Sequence, residues 1–158
     1  MNKFKKNVIL IIIIIAANVT NSNILFSENI YKFATLRHDC APWDSRSIVL
    51  NLAPGGKNCD DITLPVMSFN FWRNLPAPFK QKGKSVKVYK LSNDNDNGSA
   101  TICYASNNCK RAINATITFT EFSHSGKTSG KYEVQFKDET LKGTFKTDKW
   151  CDYKDICG

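Results

Sequence analysis

The sequence predicts an all-β fold, either an antiparallel β-sandwich or a partly closed barrel, that is stapled by disulfides. Three observations lead to this prediction. Short runs rich in β-branched and aromatic residues alternate with polar residues, and clusters of Gly, Pro, Asn and Asp separate these runs. No comparably long run after the first 22 residues has helical periodicity, and the chain carries six cysteines. About seven short strands of this kind are typical of sandwiches and small barrels.

The start of the chain predicts a secretory signal peptide. Three lysines precede an apolar run at 8–17, and small or polar residues follow it up to Ser22. This run is about half of the ~20 residues needed to span a bilayer. We therefore expect a signal peptide at 1–22 and a single β domain at 23–158, exported to the periplasm or secreted, with no stable membrane span. An uncleaved anchor is the alternative.

The first strands are predicted after an irregular entry at 28–43. Runs at 47–52 and 62–72 are rich in β-branched and aromatic residues, and a Pro-Gly-Gly turn separates them. Because Pro65 interrupts the second run and cannot donate a ladder hydrogen bond, this run either is an edge strand or begins properly at Val66.

The middle of the chain predicts a tight hairpin. A strand at 86–91 ends in a run of Asn and Asp residues. Within that run, Asn97-Gly98 supplies the two positive-φ residues that a two-residue hairpin turn needs. We therefore expect the returning strand at 100–104.

Two later regions show the clearest strand alternation. At 114–122, apolar residues alternate with threonines, as in a half-buried strand. At 132–137, Tyr, Val and Phe alternate with charged or polar residues, and a short acidic turn then leads into a matching run at 141–146. These last two runs predict a regular antiparallel hairpin.

All six cysteines follow the predicted signal peptide, so three disulfides are expected in an oxidising compartment. Local pairing favours Cys103 with Cys109 and Cys151 with Cys157, which leaves Cys40 for Cys59. Zinc binding is the rival use of these residues. The CxxC pairs and close Cys/His spacings of zinc sites are absent, so we expect no metal site.

Three tryptophans offer flat aromatic surfaces, which proteins use either in a core or for stacking on a sugar or a partner protein. Trp43 and Trp150 each lie near a cysteine in the sequence, whereas Trp72 ends a predicted strand. We therefore expect Trp43 and Trp150 to pack over disulfides.

The C-terminal part of the chain has a recurring aromatic and glycine pattern. It consists of Gly130-x-Tyr132, Phe136-x-Asp138, Gly143-x-Phe145 and Trp150-Cys151. This pattern resembles hairpins of small exported bacterial cell-envelope β proteins, many of which have no assigned activity. The resemblance implies a cell-envelope β protein and carries over no functional residue.

The charge of the chain favours anionic partners weakly. Without the three signal lysines, 19 of the 22 basic residues remain against 14 acidic ones, so the mature chain carries a net charge of +5. A nucleic-acid footprint needs basic residues clustered on one face, so nucleic acid is not expected as a partner.

The densest basic run has aromatic neighbours and is the candidate contact for an anionic glycan or a protein. Its members are Lys80, Lys82, Lys84, Lys87 and Lys90. Lysines also protect an edge strand from pairing with another chain, and edge protection is the favoured interpretation of this run.

No motif supports catalysis or a cofactor. His38 and His124 are the only imidazoles, no Gly-x-Ser-x-Gly elbow occurs, and the expected disulfides leave no thiol nucleophile. Gly126-Lys127-Thr128 lacks the first glycine of a phosphate-binding loop, so no nucleotide site is expected.

The sequence therefore favours an exported, non-enzymatic binding or structural module of the cell envelope or extracellular space, without a cofactor. The alternative is a hydrolase or hydrolase inhibitor built on His38 or His124 with neighbouring acids. That alternative requires these groups to converge in one cleft.

Overall fold

The computed structural model of the protein is built from β-strands, and its described residues contain no helix. It describes residues 31–43, 45–73, 75–76, 79–80, 87–92, 94, 96–123, 127–147, 149–151 and 157. The predicted signal peptide at 1–22 lies outside these residues. No helix within the described ranges has the length and apolar character of a membrane span.

Two sheets contain all of the described strands. The larger has the order β11-β1-β2-β3-β6-β7, and the smaller has the order β10-β9-β8-β4, with β5 also paired to β8. All pairs are antiparallel except β1 with β11. The strands are β1 (Phe33–Cys40), β2 (Arg46–Ala53), β3 (Val66–Phe71), β4 (Phe79–Lys80), β5 (Lys87–Ser92), β6 (Gly98–Ala105), β7 (Asn108–Arg111), β8 (Asn114–Phe122), β9 (Thr128–Gln135), β10 (Thr140–Thr147) and β11 (Lys149–Cys151).

The sheets pack face to face over one apolar core and do not close into a barrel, which confirms the predicted disulfide-stapled β-sandwich. Phe69 and Phe71 of the larger sheet and Ile117 and Phe119 of the smaller sheet are fully buried. The rings of Phe71 and Phe119 meet across the two layers, with centroids 5.7 Å apart. Full burial of each such side chain stabilises the fold by roughly 1.5–3 kcal/mol.

Most of the predicted strands are present and correspond to β2, β3, β5, β6, β8, β9 and β10. The strand after Pro65 begins at Val66 and lies between β2 and β6 in the sheet. It is therefore an interior strand, which confirms that the second apolar run begins properly at Val66 and excludes the edge-strand alternative.

The strand β1 corrects the irregular entry predicted at 28–43. It lies between β2 and β11, with Leu36 fully buried opposite Leu50. The second half of β1 is polar, which hides the strand pattern in the sequence. Two of these polar side chains partner each other, because Arg37 Nη2 lies 2.9 Å from Asp39 Oδ2 on the same side of the strand.

The tight hairpin predicted at Asn97-Gly98 is wrong. β5 pairs with β8 in one sheet, whereas β6 pairs with β3 and β7 in the other, so the chain crosses between the sheets here. Gly98 is required for another reason. Its φ is +150°, and a Cβ there would lie 1.9 Å from the Asn70 carbonyl oxygen. The glycine therefore permits a close approach of β3 rather than a two-residue turn.

The predicted disulfide between Cys103 and Cys109 is confirmed. The two cysteines are 6 residues apart in the sequence and stand directly opposite each other on β6 and β7. A short hairpin is thus sufficient to bring them together.

The predicted pairs of Cys151 with Cys157 and of Cys40 with Cys59 are wrong. The structure joins Cys40 to Cys157 and Cys59 to Cys151, with sequence separations of 117 and 92 residues. The physical reason is that β11 runs parallel to β1 at the edge of the larger sheet, with Cys151 opposite Arg37. This pairing therefore places Cys151 and Cys157 close to β1 rather than in a bond with each other.

Candidate binding surface

The predicted lysine run follows one edge of the smaller sheet. Lys87 and Lys90 are exposed on β5, which pairs with β8 alone among the described strands. Lys80 belongs to β4 on the same side of β8. Lys82 and Lys84 lie outside the described residues. Lys87 and Lys90 therefore lie on an edge strand, as the edge-protection interpretation requires. Their exposed side chains can also contact a ligand.

Alternation along β5 separates an anchored face from an open face. Tyr89 points inwards, with its ring centroid 5.5 Å from those of both Phe71 and Phe119. Burial raises the pKa of the Tyr89 phenol, so this anchor is neutral at neutral pH. Val88 and Lys90 lie on the opposite face, where Val88 is 54% exposed. β5 therefore presents an apolar and a cationic side chain from a fixed strand.

A groove of about 320 Å³ lies beside β5. The backbone at its far side is fixed by the carbonyl of Asn97, which accepts hydrogen bonds from the N–H groups of Trp72 at 3.0 Å and Arg73 at 3.4 Å. These bonds tie the residues after β3 to the crossing between the sheets. The residues that line the groove are Arg73, Val88, Tyr89, Lys90, Leu91 and Asn97.

An aromatic and cationic cluster adjoins this groove through Arg73 and consists of Trp43, Trp72 and Arg73, here called the Trp43 cluster. The two indole rings meet edge to face, with centroids 5.8 Å apart and an angle of 78°. The guanidinium carbon of Arg73 lies 5.2 Å from the centre of the Trp43 ring, within cation–π range. Trp43 is 43% exposed. Its contacts are thus with Trp72 and Arg73, where the sequence predicted packing over a disulfide.

Arg73 also carries an exposed ion pair. Its Nη2 atom lies 3.1 Å from Asp96 Oδ2, and both side chains are more than half exposed. Water screens such a pair, so it contributes little to stability. The guanidinium is therefore oriented by Trp43 and Asp96 while it remains accessible from the groove.

A second groove, of about 480 Å³, lies near the turn between β9 and β10. Its central cation is already engaged, because Lys110 Nζ lies 2.9 Å from Asp138 Oδ2 and 3.4 Å from Glu139 Oε1. The hydrogen bond from Lys110 lowers the pKa of the Asp138 carboxyl. Arg111 and Lys137 also line this groove.

Of the two histidines in the predicted alternative active site, His38 falls within the described residues. His38 lies on β1, where its ring meets Trp150 edge to face with centroids 4.9 Å apart. Its neighbour Asp39 is paired with Arg37. His124 lies outside the described residues. The described part of the chain contains no group of His, Cys, Asp and Glu side chains arranged to hold a metal ion.

Sequence reasoning missed Arg73 and Asp96 as members of the surface. The available signal was the dipeptide Trp72-Arg73 at the end of a predicted strand, since a tryptophan beside a cation is typical of cation–π pairs. The sequence does not show that Trp43, 30 residues earlier, reaches the same place.

No protein family, no curated protein and no solved structure matches the chain.

Proposed function

We propose that this protein is an exported, non-enzymatic binding module of the cell envelope or extracellular space that binds an anionic glycan in the groove beside β5. The observation that carries this proposal is the composition of the groove. Two cations, Arg73 and Lys90, share its lining with the apolar side chain of Val88, and Arg73 contacts the Trp43 ring beside the groove. Cations combined with apolar and aromatic contacts suit a ligand that has both an anionic group and a sugar ring.

The size of the groove favours a glycan over a protein partner. A stable protein interface buries about 800 Å² on each side. Few large apolar side chains are exposed in the described residues to build such a patch, and of these Val88 lines the groove while Trp43 contacts its lining residue Arg73. A groove of about 320 Å³ instead has the scale of a small-ligand site.

The disulfides support the location. Three disulfides link the described cysteines, and such bonds persist in oxidising, extracellular-type compartments. With the apolar segment predicted as a signal at 1–22, they support export to the periplasm or the medium. The resemblance of the C-terminal hairpin to small bacterial cell-envelope proteins supports the envelope as the site of action.

Binding to defined oligosaccharides tests the proposal. Affinity is measured by calorimetry for tetragalacturonate, a heparin-derived tetrasaccharide and neutral maltotetraose, using protein with its disulfides intact. We expect binding to at least one acidic probe and none to maltotetraose, with an affinity that falls as salt is added because the contact is exposed. Absence of binding to both acidic probes would overturn the proposal.

Charge reversal at β5 provides the matched comparison. Lys90→Glu should weaken binding by about five- to tenfold at low salt. Lys146→Glu makes the same change in net charge at an exposed position on β10 and should leave the affinity within about twofold, since it is outside the groove lining. Equal losses in the two variants would show that net charge, and not this groove, attracts the glycan.

A further inference from the structure

We infer that the Trp43 cluster and Asp96 form the recognition centre of this groove for a sugar ring that carries a carboxylate or sulfate. The sugar ring stacks on Trp43, and its anionic group takes the place of the Asp96 carboxylate on Arg73. This inference rests on the proposed function, and it names the ligand class and the residues that select it.

The exposure and orientation of Trp43 suit a stacking platform. Tryptophan side chains are highly buried on average in folded proteins, whereas 43% of Trp43 is exposed. The ring is nevertheless supported by an edge-to-face contact with Trp72, at an interplanar angle of 78° with centroids 5.8 Å apart. Trp72 is in turn tied to Asn97 by a backbone hydrogen bond of 3.0 Å. A rigid aromatic surface that is presented to solvent binds a ligand without a large ordering cost.

Arg73 is placed to read an anionic group beside that ring. Its guanidinium carbon is 5.2 Å from the centre of the Trp43 ring, and its side chain is 58% exposed. A planar guanidinium offers parallel N–H donors that match a carboxylate or sulfate better than a lysine does. Arg73 and Lys90 both line the groove, and Arg73 is the lining residue that contacts Trp43, so a ligand bound to Arg73 lies beside both Lys90 and Trp43.

Asp96 acts as an internal competitor for the ligand. Its Oδ2 atom lies 3.1 Å from Arg73 Nη2, and 65% of its side chain is exposed. An exposed pair of this kind is weak, so a ligand anion can replace it. While the groove is empty, Asp96 holds Arg73 in place and neutralises it, which discriminates against free small anions that lack a ring to stack on Trp43.

Two substitutions with matched controls test this arrangement, with tetragalacturonate and the heparin-derived tetrasaccharide as probes. Trp43→Ala should weaken binding at least about tenfold, whereas Tyr104→Ala, which removes another exposed aromatic ring, should leave the affinity unchanged. Asp96→Asn should strengthen binding by up to about fivefold. Asp94→Asn removes the same charge from the same connection and should have a smaller effect. Unchanged melting temperatures show that the variants are folded.

The possible failures are distinguishable. If the wild-type protein binds neither acidic probe, the proposed function fails and this inference fails with it. If it binds but Trp43→Ala and Tyr104→Ala behave alike, or Asp96→Asn and Asp94→Asn behave alike, the groove binds anions without this centre and only the inference is overturned. Equal affinity for polyglutamate of matched charge would also overturn it, because the surface would then serve an acidic protein.

Discussion

The phenol of Tyr132 lies directly over Gly143, its partner across the hairpin of β9 and β10. A Cβ at Gly143 would come within 2.6 Å of the Tyr132 hydroxyl oxygen. The relationship is repeated two residues along each strand, where Gly130 faces Phe145 and a Cβ would lie 2.8 Å from that ring. Each glycine thus makes room for an aromatic side chain on the neighbouring strand, and the hairpin buries both rings in the core.

Alanine substitution of the two glycines should therefore destabilise the protein unequally. At Gly130 the nearest atom is also a backbone oxygen, Thr118 O at 2.3 Å, which cannot move without disturbing β8. At Gly143 only the tyrosine ring must shift. We expect Gly143→Ala to cost about 1–2 kcal/mol of unfolding free energy and Gly130→Ala about 3 kcal/mol or more. Urea unfolding measures both, with the exposed Thr144→Ala as a control within about 0.5 kcal/mol. Equal losses at the two glycines would contradict this packing.

Stability should fall at alkaline pH because of buried phenols. Burial raises the pKa of Tyr132 to about 12 from the ordinary value of 10.0. Since the folded state then binds the proton more tightly than the unfolded state, the stabilising contribution is complete below pH 10 and is lost as the pH rises towards 12. Urea unfolding at pH 8 and pH 11 should show this loss, reduced in Tyr132→Phe. An unchanged loss in Tyr132→Phe would assign it to other groups.

The disulfides should differ in their contribution to stability. In the loop-entropy account, removal of the Cys103–Cys109 bond by a double Cys→Ala variant should cost about 2 kcal/mol, and removal of Cys40–Cys157 about 3.5 kcal/mol. The difference arises because the first closes a separation of 6 residues, whereas the second closes the roughly 25 residues of its loop that the bond between Cys59 and Cys151 leaves open. Guanidinium unfolding of the two variants, under conditions that keep the remaining bonds oxidised, gives both numbers. A larger cost for the short-range bond would contradict the entropic account here.

Mass spectrometry of the protein produced in cells checks export and connectivity together. We expect a chain that starts near Asn23, with a mass short of the fully reduced form by two hydrogens for each of the three disulfides. Digestion without reduction should yield one linked pair of peptides containing Cys40 and Cys157, and another containing Cys59 and Cys151. Retention of residues 1–22 would contradict the signal-peptide prediction.

The parts of the fold that were predictable are those fixed by neighbouring residues. The hairpin of β9 and β10 follows from alternation and an acidic turn, and Cys103–Cys109 follows from proximity in the sequence. The pairing of β1 with β11 at the edge of the sheet joins distant parts of the chain, so no local sequence pattern predicts it. An Asn-Gly pair likewise predicts a local backbone conformation, but it does not predict which sheet each flanking strand joins.

The candidate site divides in the same way. Lys90 was predicted because its lysine-rich run is continuous in the sequence. Trp43 and Arg73 contact each other because the folding of the sandwich brings the connection after β1 close to the end of β3. Because Trp43 and Arg73 belong to separate connections, no sequence spacing predicts their contact.

The bond between Cys40 and Cys157 also determines how the molecule responds to mechanical load. A force applied between its two termini passes from β1 through this sulfur bridge to the C-terminal end. The segment 41–156, which contains most of the sandwich, lies outside that covalent path. Stretching therefore strains the pairing of β1 with β2 and β11 first, while the intact bond prevents the chain between Cys40 and Cys157 from being extended.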